Sequence, residues 1–525
     1  MSDQKESRTK KTLLNARINL ICYFAALITA FFTRKILLEQ LGTEFIGLTG
    51  TIGNLLGFLN LAELGIGTAI SYVLYKPIAD SNRFKINEII SVLGYLYRWI
   101  GFAILGMGII FSLFLPLVFP STSFSWLVIY FGFYAYLAAA LIGYFANYKA
   151  TLLSADQRNY VVTGYFQFTT TSKVIIQMVL AIYFRSFIIY FAIELIAGII
   201  NSIILNWKIN QTYPWLKSEI RLGNKLLKKY PEISKYIKQI FAHRIGSVVQ
   251  GQLTPFLIYS FVSLPMVALY TNYTLLTQKI VGLVAGITNS AEAAIGNLIV
   301  KSDKNSILNI FYELFSMRIF IASLSAICIY RLASPFITVW LGAEYVLSKT
   351  IVTLIAVMSG IRITRGAIEQ FIHAYGLYSD VWAPYIETTI MVASSIACGY
   401  YWGLQGILCG PIISTIANIF IWKPYFLFSK GFKLPTIKYW KFLIKHLTIS
   451  LLTAGVLDCI FDSYIEEHIQ HCNWCGFILC SLAFGILTTI LLGLSFYATS
   501  NGYRNFVYRM KNTINNRINV KTVTK

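Results

Sequence analysis

Apolar runs recur along the whole chain. Trp99–Phe119 (WIGFAILGMGIIFSLFLPLVF), Phe187–Leu205 (FIIYFAIELIAGIINSIIL) and Gly476–Tyr497 (GFILCSLAFGILTTILLGLSFY) are three of them. Each is close to the ~20 residues that a helix needs to cross a bilayer. Only 13% of the 525 residues are charged, against about 25% in a soluble domain. The expected fold class is therefore an all-α polytopic membrane protein. The first seventeen residues are polar and basic, so no cleavable signal peptide is expected.

Fourteen spans are expected, near 17–38, 45–75, 87–116, 125–153, 160–183, 187–207, 236–261, 265–299, 308–332, 347–376, 381–402, 404–428, 439–460 and 474–499. Basic residues gather in the N-terminal tail, in alternate loops such as 208–238 and 423–445, and in the C-terminal tail. The positive-inside rule makes that side cytoplasmic and puts both termini there, which requires an even number of spans. The net charge of +22 thus reflects topology and anionic lipid headgroups, not nucleic acid. The outer segments (FPSTSFS, WGLQG and the acidic DSYIEEHIQ among them) are short and leave no room for an external catalytic domain. No glycine-rich phosphate loop with a lysine occurs. An enzyme is not expected, and no cofactor is implied.

A gapless shift of 221 residues lays Gly65-Ile66 on Gly286-Ile287, Leu48 on Leu269 and Ile78 on Ile299. Such a repeat predicts two pseudo-symmetric six-helix lobes plus two C-terminal helices, with binding between the repeats. The expected divisions are a lobe over 1–213, a basic loop over 214–235, a second lobe over 236–428, the added helices over 439–499 and a basic tail over 500–525.

Charges inside the spans are the informative exceptions. Arg34, Arg98, Lys173, Arg244, Lys279, Arg318, Arg362 and Arg365 sit deep, as do Glu63, Glu194, Glu292, Glu313, Glu369 and Glu387. A charge facing lipid at mid-helix costs at least ~2.5–3.5 kcal/mol, so these side chains should face protein or water. Arg362, Arg365, Glu369 and His373 form one stripe on a helix. Two readings stand: a self-paired polar seam, or a hydrated cationic cavity. The cavity reading draws its substrate-binding candidates from Arg34, Arg98, Lys279, Arg362 and Arg365, since arginine forks suit phosphate oxygens. Glu63, Glu369, His373 and Glu387 are the candidates for gating or ion coupling. His468, His471, Cys472 and Cys475 carry zinc-type ligands, but one compact cluster assigns no metal site.

FLNLAELGIGTAISYVLYKPIA (Phe58–Ala79) resembles the second helix of bacterial polysaccharide repeat-unit flippases, the O-antigen and capsule exporters of the multidrug/oligosaccharidyl-lipid/polysaccharide superfamily. The run from Gly360 to Pro424 is similar too, through Gly360-Ile361-Arg362, Asp380, Pro384, Glu387, Gly403, Gly410 and Trp422-Lys423-Pro424. The resemblance implies two lobes around a central cavity. It also implies alternating access that carries a polyprenyl-pyrophosphate-linked oligosaccharide from the cytoplasmic to the outer leaflet. The implied location is a bacterial inner membrane. The implied partners are the lipid-linked cargo, membrane lipids, a coupling cation (Na+ or H+) and other polysaccharide-assembly membrane proteins. The alternative is a multidrug or small-molecule antiporter on the same fold, which would want an acidic or aromatic cavity.

Overall fold

The structure, a computed structural model, describes residues 8–523 except 60–65, 121, 157, 290–294, 296–297, 300–302, 378–379, 381 and 465–472. The side chains of a few further residues inside helices lie outside the description as well. Every regular element among the described residues is helical. The main helices are α1 (Arg8–Leu59), α2 (Ile66–Ala79), α3 (Arg83–Leu113), α4 (Trp126–Ala146), α5 (Ala150–Ala155), α6 (Asn159–Phe184) and α7 (Phe187–Thr212). They continue with α8 (Pro231–Phe261), α9 (Leu264–Asn289), α10 (Lys304–Trp340), α11 (Lys349–Ala374), α12 (Ala383–Thr415), α13 (Ile437–Tyr464), α14 (Trp474–Thr499) and α15 (Asn501–Val523). Nine helices among the described residues are long and apolar enough to cross a membrane.

The chain divides into two compact units, Met1–Ala268 and Leu269–Lys525. The division falls inside α9. The reason is that α8 packs on α1 and α2 and so joins the first unit. One such contact is tight: a Cβ on Gly57 would meet the Gln252 amide at 2.5 Å.

In the first unit the core is aromatic. Phe45 is fully buried, stacks on Phe187 at 4.7 Å between ring centroids and lies 5.4 Å from Phe191. At one end Tyr213 donates to Asp156 at 2.9 Å, tying the end of α7 to the end of α5. Burial, followed by the Asp156 charge, pushes the Tyr213 phenol well above its ordinary pKa, so it stays a donor.

In the second unit Phe311, Phe315, Phe371, Phe428, Phe432 and Tyr439 form the centre of one buried cluster. The 50-residue run Ala383–Phe432 is a helical hairpin, not one rod. Its turn is Gly403, whose φ of 53° and ψ of −130° only glycine adopts readily. Ser395 on the first leg donates to the Ile407 carbonyl on the second at 3.0 Å. The sequence-expected spans 381–402 and 404–428 meet at this residue. The second leg passes into π-helical turns over Ile416–Trp422 and Leu427–Phe432.

Large apolar side chains such as Ile203, Leu451 and Leu494 remain exposed in the isolated chain. A bilayer would cover such a surface, and the hydrogen bonds within the helices satisfy the backbone there.

Candidate functional site

The first unit holds an open cavity of about 850 Å³, lined by helices from α2 to α7. Lys173 and Glu194 close one end. Each is the lone charge in the apolar part of its helix, and their consecutive helices pack side by side. Lys173 lies about 21 Å along α6 from Asn159, at 1.5 Å per residue. Its Nζ meets Glu194 Oε1 at 2.7 Å, with each side chain only 17% exposed. Gln177, one turn further on and 2% exposed, donates to Glu194 Oε2 at 3.2 Å and to the Tyr190 carbonyl at 3.1 Å. Both carboxylate oxygens are thereby occupied. The rest of the lining is uncharged, with Asn147, Thr151, Thr170 and Asn201 as polar members and Tyr75, Tyr97 and Phe166 among the aromatics.

The second unit carries the charged stripe of α11, and the stripe divides. Arg365 Nε meets Glu369 Oε1 at 2.7 Å, and its Nη1 lies 3.5 Å from Glu387 Oε1 on α12. Glu387 is 3% exposed and also accepts from Asn418 on the opposite leg of the hairpin. For Arg365, Glu369 and Glu387 the geometry is thus the self-paired seam. Arg362 is different. It is exposed, and it makes no hydrogen bond or ion pair among the described residues. His373 is exposed at the end of the same helix.

Nearer the end of the hairpin, Lys423 Nζ meets the buried Asp380 carboxylate at 2.7 Å. Arg318, 5% exposed, lies against Gly366 and donates only weakly, to the Ile363 carbonyl at 3.4 Å. Arg331 is paired with Asp458 and, at 2.8 Å, with Asp462.

The remaining sequence candidates do not line the cavity of the first unit. Arg34 donates to the Ala268 carbonyl at 2.8 Å. Arg98 is exposed on α3, and Lys279 is half-buried on α9. Glu63 lies outside the described residues, as do His468, His471 and Cys472. No group of three or more metal-ligating side chains occurs among the described residues. Lys173 and Glu194 are among the deep charges of the sequence but not among its binding candidates. The available signal was two lone, opposite charges on successive helices. Gln177 carried no such signal.

Comparison with solved structures places this architecture. No protein-family model matches the sequence, and no relative is found among curated proteins. The lipid II flippase MurJ, in an inward closed conformation, superposes with a TM-score of 0.62 at 15% identity, over 91% of this chain and 98% of its own. An inward-facing multidrug-resistance MATE transporter of the MOP superfamily gives 0.57 at 14% identity, over 76% of this chain and 93% of its own. A variant of the Vibrio cholerae MATE transporter VcmN gives 0.51 at 13% identity, over 81% and 99%. The fold is shared with these solved membrane transporters, and the chain is an all-α, multi-pass membrane protein. At these identities the likeness establishes the fold and nothing narrower.

Proposed function

We propose that this protein is a flippase. Its cargo is a polyprenyl-pyrophosphate-linked oligosaccharide repeat unit, carried from the cytoplasmic to the outer leaflet by alternating access for surface polysaccharide assembly. The observation that carries this reading is the extent of the likeness to the lipid II flippase. It takes in 91% of this chain, against 76% and 81% for the two MATE transporters. Arg362 supports it from the residue side, as an exposed guanidinium on a span with no carboxylate in contact among the described residues. Such a group is available to oxygens of a diphosphate.

A diphosphate bearing sugars cannot enter hydrocarbon unaided, because stripping its hydration is too costly. Basic side chains facing water replace part of that hydration while the polyprenyl tail stays in lipid. Under this reading Arg34, Arg98, Lys279 and Arg362 supply cationic positions for the cargo. The Arg365–Glu369–Glu387 seam is a place where protonation or a bound cation changes helix packing. The protein resides in a bacterial inner membrane with both termini cytoplasmic, and it works with other membrane proteins of polysaccharide assembly.

The test is deletion followed by mass analysis of lipid-linked precursors. Precursors should accumulate, wild-type protein should clear them, and Arg362→Ala should clear them poorly although it reaches the membrane in normal amount. The MATE likeness favours a second reading, a multidrug or small-molecule antiporter. A deletion strain with normal precursor levels and heightened sensitivity to cationic drugs would establish that reading instead.

A further inference from the structure

We infer that the cavity of the first unit binds the uncharged saccharide part of the cargo and leaves the phosphates to other groups. This rests on the flippase reading above, and it follows from what the cavity offers. Its one cation is neutralised: Lys173 is held by Glu194 at 2.7 Å, and Gln177 holds the second carboxylate oxygen. A phosphate arriving there would meet a carboxylate within contact of the ammonium it needs. An organic cation would find Glu194 already satisfied on both oxygens.

The uncharged groups are differently placed. Asn201, Thr151 and Thr170 line the cavity, and their side chains make no hydrogen bond among the described residues. Asn147 uses its carbonyl oxygen to accept from Ser202 at 2.8 Å and Asn206 at 3.1 Å, which leaves its amide hydrogens for the cavity. Free neutral donors beside free neutral acceptors match a ligand whose hydroxyls do both. A purely apolar ligand would leave them unsatisfied.

Tyr75 and Phe166 also line the cavity and are more than half exposed, and they offer the flat aromatic surface on which a sugar ring can rest. The volume of about 850 Å³ lies within the ~300–1,000 Å³ range of ligand pockets. The rim is near Thr151 and the exposed Ser154, at the end of the unit that carries Lys149, Arg158 and Lys208. By the charge rule this is the side from which the cargo arrives.

The test uses the full-length protein in lipid nanodiscs with Ser154→Cys as a thiol reporter, and Ala150→Cys in its place if the first variant folds poorly. The probe is the soluble saccharide released by mild acid from precursors that accumulate in the deletion strain. Maleimide labelling of the introduced thiol, followed by peptide mass, should slow about tenfold with the saccharide at about ten times its Kd. Inorganic pyrophosphate should leave the rate unchanged, and Asn201→Leu should abolish the protection. Protection by pyrophosphate, or none by the saccharide, would overturn the inference and leave the flippase reading intact. If no precursor accumulates in the deletion strain, the flippase reading falls and this inference goes with it.

Discussion

At the scale of single residues, this protein sets paired against unpaired charge. Lys173 and Glu194 are paired in a largely apolar, half-buried setting, and removing one partner strands the other. We expect Glu194→Gln to destabilise the protein by about 3–5 kcal/mol, read as thermal unfolding of the purified protein. Replacing both residues with methionine should recover most of the loss, because no uncompensated charge then remains. A Glu194→Gln variant as stable as wild type would show that the pair is hydrated. Arg365 and Arg362 make a second contrast on one helix. Arg365→Ala removes the cation that separates Glu369 from Glu387 and should lower stability, with Glu387→Gln in addition restoring part of it. Arg362→Ala breaks no hydrogen bond or ion pair among the described residues and should stay within about 0.5 kcal/mol of wild type in the same assay. The sequence made the spacing of this stripe plain. It could not say which arginine would meet an acid, because Glu387 and Asn418 reach Arg365 only when the hairpin closes on α11.

At the scale of elements, the hairpin Ala383–Phe432 depends on glycines for two physical reasons. Gly403 supplies a backbone conformation closed to other residues, so Gly403→Ala should cost about 1–3 kcal/mol. Gly410 supplies proximity. A Cβ there would lie 2.8 Å from the Met391 carbonyl oxygen and 2.0 Å from Ser395 Oγ. Ser395 can turn aside, but backbone cannot, so Gly410→Ala must spread the two legs. Folded yield from membranes should drop more for Gly410→Ala than for Gly403→Ala, and equal yields would count against the close packing of the legs. Element existence was legible because long apolar runs leave helices few alternatives. The turn between 402 and 404 was legible too, as a glycine between two such runs. The π-helical turns over Ile416–Trp422 and Leu427–Phe432 were not, although Pro424, which has no N–H for the Phe420 carbonyl, and Gly431 weaken the ordinary helix there. Which alternative the backbone takes depends on packing, and Trp440 supplies the donor to Phe420 at 2.9 Å.

At the scale of the whole molecule, the charge bias predicts topology. Alkaline phosphatase fused between Phe119 and Phe124 should be active outside. A fusion within 214–218 should be inactive, and a fluorescent protein at the C-terminus should fold and emit. An active phosphatase at 214–218 would overturn the orientation and the direction of transport proposed with it. Sequence alone dictated that the chain is an all-α, many-helix membrane protein, because stretches with so few charges cannot remain in water and a helix satisfies its own backbone in lipid. Tertiary structure decided three further things: the division at Ala268–Leu269, the meeting of Lys173 with Glu194, and which arginine of α11 pairs with an acid among the described residues. Each rests on distance between residues on different helices. Hydrophobic patterning sets which segments enter the bilayer, but interhelical packing alone brings particular side chains within a few ångströms of one another.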